Sequence, residues 1–384
     1  MSSTQVAARA ELATTAPPRP RLLRDLEGAP ALGYVGPNWF ASVMGTGIVA
    51  VALASLPFRL PGAVAAALVV WLLAVALLVA VTGATLAHHR RHPATARGHL
   101  DDPVMSHFYG APAMALMTVG AGTVLVGHRL VGTGPALVAD AVLWTVGTAL
   151  GLATAVVVPF RAITSHDVRP DSAFGGWLMP VVPPMVSAAT GALLVPHLPA
   201  GQAQQTMLLA CYAFFGLTLI ASLLMVAAIW QRLLHHGLGA AGAVPTLWIV
   251  LGPLGQSVTA AHHLGQVAPG VLGAPYAGAF RAQTLVYGVP VLGFALLWLA
   301  LALALTVRTA RAGLPFGLTW WSFTFPVGTV VTGASGLASA TGLVALDVLT
   351  GLLLVGLVAA WTVVLVRTVH GVARGRLLLD PRPA

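Results

Sequence analysis

Phe325-Pro326-Val327-Gly328 stands in the middle of an apolar stretch that runs from about residue 315 to 340. A proline inside a helix removes one backbone hydrogen bond and frees a carbonyl. In hydrocarbon such a group is tolerated only where it is buried in protein or faces a wet cavity, so this stretch belongs inside a helical assembly. Four more apolar stretches carry an interruption of the same kind: Met44-Gly45-Thr46-Gly47, Ala111-Pro112-Ala113-Met114, Pro180 with Pro183-Pro184-Met185, and Gly252-Pro253-Leu254-Gly255. With Gly45, Pro112, Pro183, Pro253 and Pro326 as markers, successive separations are 67, 71, 70 and 73 residues. That regularity predicts five helical hairpins, each with one broken and one smooth helix.

Outward from these markers, ten apolar spans are expected at about 37 to 57, 61 to 87, 104 to 127, 136 to 159, 175 to 195, 204 to 230, 244 to 265, 278 to 306, 315 to 340 and 343 to 367. The odd spans hold the interruptions; the even ones are mostly smooth, Pro290 excepted, and can face lipid. The expected fold is an all-α polytopic membrane protein, with an inner ring of five odd helices lining a central pore inside an outer ring of five. The other reading of the same glycines and prolines is close helix packing. Composition agrees with a membrane protein: of 384 residues 58% are apolar and 8% charged, with a mean hydropathy of +0.88. That excludes a water-soluble enzyme and fills about ten crossings of roughly 20 residues. The runs are continuous, unlike the short alternating segments of an outer-membrane barrel. A single cysteine, Cys211, allows no intrachain disulfide.

Residues 1–36 are polar, contain proline and arginine, and lack an apolar core followed by a cleavage site. They read as a disordered tail and not as a signal peptide. Residues 37–370 form one membrane domain, and 371–384 a second tail. The chain has no lysine, and of its 19 arginines only Arg59, Arg129 and Arg281 fall on one side of this topology, against sixteen on the other. The positive-inside rule then places both termini in the cytoplasm.

No Arg, Asp or Glu lies near the middle of an odd span. An anion in the pore would be held by helix dipoles, backbone amides and hydroxyls such as Thr46, Thr324 and Thr329, a weak hold that suits passage. In the seventh span Gln256, Thr259 and His263 share one helical face and are expected to line the outer part of the pore. With His107 at the inner end of the third span, such histidines are what any proton coupling would use; the alternative is interfacial histidines bonded to carbonyls. His88-His89-Arg90-Arg91-His92 resembles one box of a membrane di-iron enzyme. The doublets His235-His236 and His262-His263 lack the third histidine of that motif, so the basic loop is read against anionic headgroups instead. No cofactor, metal or nucleic-acid partner is expected.

Three stretches carry a family resemblance: Gly36-Pro37-Asn38-Trp39-Phe40-Ala41-Ser42-Val43-Met44-Gly45-Thr46-Gly47-Ile48, Ser106-His107-Phe108-Tyr109-Gly110-Ala111-Pro112-Ala113-Met114, and Pro315-Phe316 with Trp320-Trp321-Ser322-Phe323-Thr324-Phe325-Pro326. Together they resemble the tellurite-resistance/dicarboxylate transporter family, which includes plant slow-type anion channels, yeast malate permeases and fungal sulphite efflux pumps. The resemblance implies ten helices in a quasi-fivefold ring of hairpins, a homotrimer with one pore per subunit in the inner (plasma) membrane, and a phenylalanine on the ninth helix that plugs the pore. Phe325 matches that position, with Phe323 in reserve. The expected lining is Gly45, Thr46, Pro112, Pro183, Pro253, Gln256, Thr259, His263, Thr324, Pro326 and Thr329. The implied function is anion transport, with chloride or nitrate, sulphite, C4-dicarboxylates such as malate, and tellurite-related oxyanions as candidate substrates. A proton-coupled C4-dicarboxylate carrier is the alternative, and a membrane di-iron enzyme a remote one.

Overall fold

The computed structural model describes residues 22–26 and 28–379. In chain order its α-helices are α1 (Phe40–Ala54), α2 (Ala63–Arg91), α3 (Pro93–Asp101), α4 (Gly110–Gly122), α5 (His128–Val131), α6 (Thr133–Thr164), α7 (Pro183–Leu194), α8 (Gln202–His236), α9 (Leu251–Val267), α10 (Tyr276–Val286), α11 (Gly288–Gly313), α12 (Phe325–Thr341) and α13 (Val344–Arg374). There is no strand among the described residues. The chain is a multi-pass membrane protein: among the described residues, all-helical in their regular structure, eight helical segments are long and apolar enough to cross a bilayer.

Those eight are fewer than the ten expected spans. The two that fall short are the fifth and the ninth, where the continuous α-helix is only α7, 12 residues, or α12, 17 residues. Both are preceded by a 3₁₀ turn, Gly175–Leu178 and Leu318–Phe323. The same construction recurs in the other interrupted spans. Pro37–Trp39 leads into α1, Met105–Tyr109 into α4, and Ala241–Val250 into α9. The five α-helices therefore begin about 70 residues apart, each after a 3₁₀ lead.

This changes the reading of the prolines. Pro112, Pro183, Pro253 and Pro326 do not break a helix in its middle; each lies within the first three residues of its α-helix. There the missing N–H is one that the helix leaves unpaired anyway, so the proline fixes where 3₁₀ winding ends and α winding starts.

Burial separates two sets of elements. In Pro37–Ala54, Met105–Val131 and Ala241–Gly270, 72–83% of the most apolar stretch is buried, against 22–28% in the five long helical segments that contain α2, α6, α8, α11 and α13. Contacts close a circuit: α1 packs on α4, α4 on α7, α7 on α9, α9 on α12, and α12 on α1. Each of α2, α6, α8, α11 and α13 packs on the member that precedes it in sequence and also on the next around the circuit. Lipid is as apolar as these side chains, so close packing and interhelical hydrogen bonds hold such an assembly together. Gly255 shows the packing, because a Cβ there would run into the Thr329–Val330 backbone of α12. The bonds come mostly from indoles on the outer helices. Trp71 donates to Thr123 Oγ1 at 3.1 Å, Trp144 to the Ser187 carbonyl at 2.9 Å, Trp298 to the Leu247 carbonyl at 2.9 Å and Trp361 to Thr46 Oγ1 at 3.2 Å. On α8 the hydroxyl of Thr218 does the same work, donating to the Val181 carbonyl at 2.8 Å.

The expected tail over residues 1–36 lies outside the described residues for 1–21 and 27. Part of the remainder packs on the helices, while Leu22, Leu23, Gly28 and Pro30 are exposed. Leu23 N–H donates to the Ala373 carbonyl at 2.8 Å, His88 Nδ1–H donates to the Leu32 carbonyl at 2.8 Å, and Leu26, Val35 and Gly36 are buried. Of the second tail, residues 380–384 lie outside the described residues; α13 continues to Arg374, followed by a turn at Arg376–Leu378.

Candidate functional site

Two cavities lie inside the circuit of α1, α4, α7, α9 and α12. The first is bounded by Ala41, Met44, Phe108, Met114, Met179, Val182, Ile249, Gly252, Leu318, Trp321, Ser322, Phe325 and Pro326. The second is bounded by Ile48, Val51, Thr118, Ala121, Leu125, Val186, Ala189, Thr190, Leu193, Gln256, Thr259, His263, Phe325 and Thr332. Every member of the circuit, with the turn that leads into it, contributes to both walls. In each member the lower-numbered residues line the first cavity and the higher-numbered the second, so all five run in the same direction. Each cavity has about 20 Å³ of room, which is space for about one water.

Phe325 is the one residue common to both walls. It opens α12, where the 3₁₀ lead ends, and is 2% exposed. Phe323 lines neither cavity. Its ring lies against Trp248 and Trp320, with centroids at 5.1 and 5.6 Å, so it packs the 3₁₀ lead of α12 onto that of α9.

The other expected lining residues divide. Gln256, Thr259 and His263 lie together on the wall of the second cavity, and Pro326 on the first. Gly45, Thr46, Pro112, Pro183, Pro253, Thr324 and Thr329 line neither. Gly45 is a contact point, since a Cβ there would meet Thr324 and the Trp321 ring. Thr46 is held from behind by Trp361. Thr324 donates to the Trp321 carbonyl at 2.7 Å. Thr329 bonds α12 to α9, its hydroxyl 2.7 Å from the Pro326 carbonyl and 3.2 Å from that of Leu251. Pro183 and Pro253 are buried, and Pro112 is half-buried.

Three threonines on the second wall escaped the sequence reading: Thr118, Thr190 and Thr332. Their signal was the repeat itself, because Thr46, Thr118, Thr190, Thr259 and Thr332 recur at 69 to 73 residues. Four of the five meet at the second cavity. Thr118 donates to the Met114 carbonyl at 2.6 Å and Thr190 to that of Val186 at 2.8 Å; the Thr259 and Thr332 hydroxyls are hydrogen-bonded to each other at 2.8 Å. A hydroxyl turns about one bond, so each can exchange its carbonyl for an anion. Gln256 Oε1 is buried with no partner among the described residues. His263 Nδ1–H donates to the Ala189 carbonyl at 2.9 Å, which fixes its ring on the wall. His107, also expected to matter, is stacked on Trp177 at 6.3 Å and edge-on to Phe174, away from both cavities.

The sequence reading also passed over Asp140, in a smooth span. It is fully buried on α6 against Gly120 of α4, and neither carboxylate oxygen has a hydrogen-bond partner among the described residues. Hydropathy locates a span but not the direction in which one of its residues points. The histidine box is committed locally: besides the bond of His88 to Leu32, His89 Nδ1–H donates to the Thr85 carbonyl at 2.9 Å, and the His88 ring stacks on His99 at 5.1 Å.

The sequence profile of voltage-dependent anion channels matches residues 34–369. A sulfite efflux pump of Arthroderma otae is 29% identical over 346 residues, covering 88% of this chain and 91% of the relative. An uncharacterised transporter of Methanocaldococcus jannaschii is 28% identical over 296 residues, covering 77% and 81%. A malic acid transport protein of Schizosaccharomyces pombe is 24% identical over 297 residues, covering 75% and 67%. These relatives are transporters, not enzymes. With the profile spanning nearly the whole helical circuit and both cavities inside it, the chain belongs to the voltage-dependent anion channel family, the family of tellurite-resistance/dicarboxylate transporters that its motifs resemble.

Proposed function

We propose that the chain passes small anions along the axis of the helical circuit and that Phe325 closes the path. The observation that carries this reading is that Phe325 alone is shared by two cavities whose walls are built from the same five helices. In this reading the fifth and ninth segments also cross the bilayer. With their 3₁₀ turns they comprise residues 175–197 and 318–341, long enough for a hydrocarbon core of roughly 30 Å. The chain then makes ten crossings as five hairpins in residues 37–370, an arrangement favoured by the common direction of the five inner helices. The arginine distribution puts both termini in the cytoplasm, and the homotrimer and the plasma-membrane location rest on the family resemblance.

Selectivity for anions follows from three features. Five parallel helices turn the positive ends of their dipoles toward the first cavity. Hydroxyls and the Gln256 amide supply donors at the second. No arginine or lysine lines either wall, so an anion is not trapped by a fixed charge and can leave. Such a wall favours small singly charged anions, hydrogen sulphite, chloride and nitrate among them, over malate or other dianions, whose second charge has no partner there. Tellurite-related oxyanions are further candidates. His263 supports a second reading, a proton-coupled carrier of malate-like anions, because it places a titratable ring on the path.

The test is flux into proteoliposomes with chloride, nitrate, sulphite and malate, with and without a pH gradient. Sulphite flux proportional to its own gradient, without proton movement, is the expected result. Uphill malate accumulation driven by protons would replace the channel reading by the carrier, and no flux of any anion would overturn both.

A further inference from the structure

A third and much larger cavity, about 1250 Å³, opens at the end of the circuit where the 3₁₀ leads begin. Phe108 and Leu318 line both it and the first cavity, so it is the vestibule of the closed path. Its walls also include Tyr34, Trp39, His99, Asp102, Phe316, Arg367, His370, Arg374 and Arg376. Arg367, His370 and Arg374 fall on one face of α13, and Arg376 follows the left-handed Gly375, whose φ is 86°.

The charge on these walls is unbalanced. Among the described residues no carboxylate pairs with Arg367, Arg374 or Arg376; the ion pair of Arg161 with Asp101 lies outside this cavity. Asp102, the acid on the wall, already accepts the N–H groups of Val104 and Met105, each at 2.8 Å. The Arg367 guanidinium lies over the Trp320 ring at 4.8 Å and the Phe316 ring at 5.8 Å. Stacking holds its plane and leaves its N–H edge free, the geometry in which arginine grips phosphate or carboxylate in a fork.

We propose that this vestibule is a binding site for a multivalent phosphate-bearing anion, gripped by Arg367, Arg374 and Arg376 and backed by the aromatic wall of Tyr34, Trp39 and Phe316. A permeating anion small enough for a 20 Å³ cavity would leave most of the vestibule empty and meet few of its cations, whereas a chain of phosphates or a phosphorylated headgroup spans them. The ligand is therefore distinct from the transported anion, and its binding is read without any flux. The chemistry is shared by soluble polyphosphates and nucleotides on one hand and by phosphoinositide headgroups on the other.

The experiment is calorimetric titration of the detergent-purified full chain with inorganic triphosphate and with ATP, beside binding to nanodiscs with and without phosphatidylinositol bisphosphate. Saturable binding is expected. Arg367→Gln or Arg374→Gln weakens it by about tenfold, as expected for one charged hydrogen-bond fork; Arg367→Lys loses less than Arg367→Gln; Arg311→Gln, outside the vestibule, changes nothing. Binding of the soluble probes assigns the site to a free anion, and binding in the phosphoinositide nanodiscs alone assigns it to the lipid. No saturable binding of any of the three, or equal affinity in wild type and the Arg367→Gln/Arg374→Gln double variant, would overturn the proposal.

Discussion

The inner and outer helices of this chain come from the same apolar alphabet and end in opposite environments. The outer helices are continuous and leave about three-quarters of their most apolar stretch unburied; the inner ones are shorter, start from 3₁₀ turns and are mostly buried. The difference lies in small residues and placed hydroxyls, which also make the inner segments less hydropathic than the outer ones. An outer helix needs only to be apolar and to set one indole or hydroxyl onto its inner neighbour. An inner helix must fit two inner neighbours at backbone distance and still leave space on the axis.

Glycine offers the strongest way to break the comparison. Gly255 of α9 faces the backbone of α12, whereas Gly356 of the outer helix α13 has no atom within 4 Å of where its Cβ would stand. Gly255→Val is expected to cost about 3 kcal/mol or more by forcing backbones apart, and to lower both yield and melting temperature. Gly356→Ala should gain up to about 1 kcal/mol from helix propensity. Similar melting temperatures for the two variants would erase the distinction between the sets.

Hydroxyls sharpen it. Thr259→Val or Thr332→Val removes a donor from the second cavity and is expected to lower anion flux by about threefold to tenfold, the worth of one hydrogen bond. Thr362→Val, on the exposed face of α13, should leave flux unchanged, and equal effects at the two places would remove the threonines from the path.

The smallest effect concerns Asp140, an acid on an outer helix buried against an inner one. A carboxylate without a partner is a burden when ionised, so Asp140→Asn is expected to leave the melting temperature unchanged or to raise it. A clear drop would mean that the carboxylate holds a partner.

Much of this contrast was legible in the sequence. The interval between markers located the inner elements because each repeat needs its own transition from 3₁₀ to α, and in four of the five a proline marks that transition; Gly45 lies inside α1 instead, against Thr324 and Trp321. The helix-face argument brought Gln256, Thr259 and His263 to one wall because α9 is regular over those residues. Two kinds of information were missing. A proline alone does not reveal whether it sits mid-helix or in the first turn, which requires knowing how the preceding residues wind. Nor does a hydroxyl reveal its side of the helix: Thr46 and Thr332 occupy the same place in the repeat, yet one is turned outward to Trp361 and the other lines the cavity. Asp140 was hidden for the same reason.

The central claim is that Phe325 blocks a path and does not serve as packing. Phe325→Ala, reconstituted and measured for anion conductance and thermal stability on the same preparation, tests it most directly. Removing the ring joins the two cavities, so conductance should exceed that of wild type, with Phe325→Leu in between and Phe323→Ala, the packing control, melting lower without a gain. A phenylalanine that packs a core behaves in the opposite way, losing about 3 to 5 kcal/mol of stability on truncation. A destabilised Phe325→Ala with unchanged or reduced conductance would contradict the account.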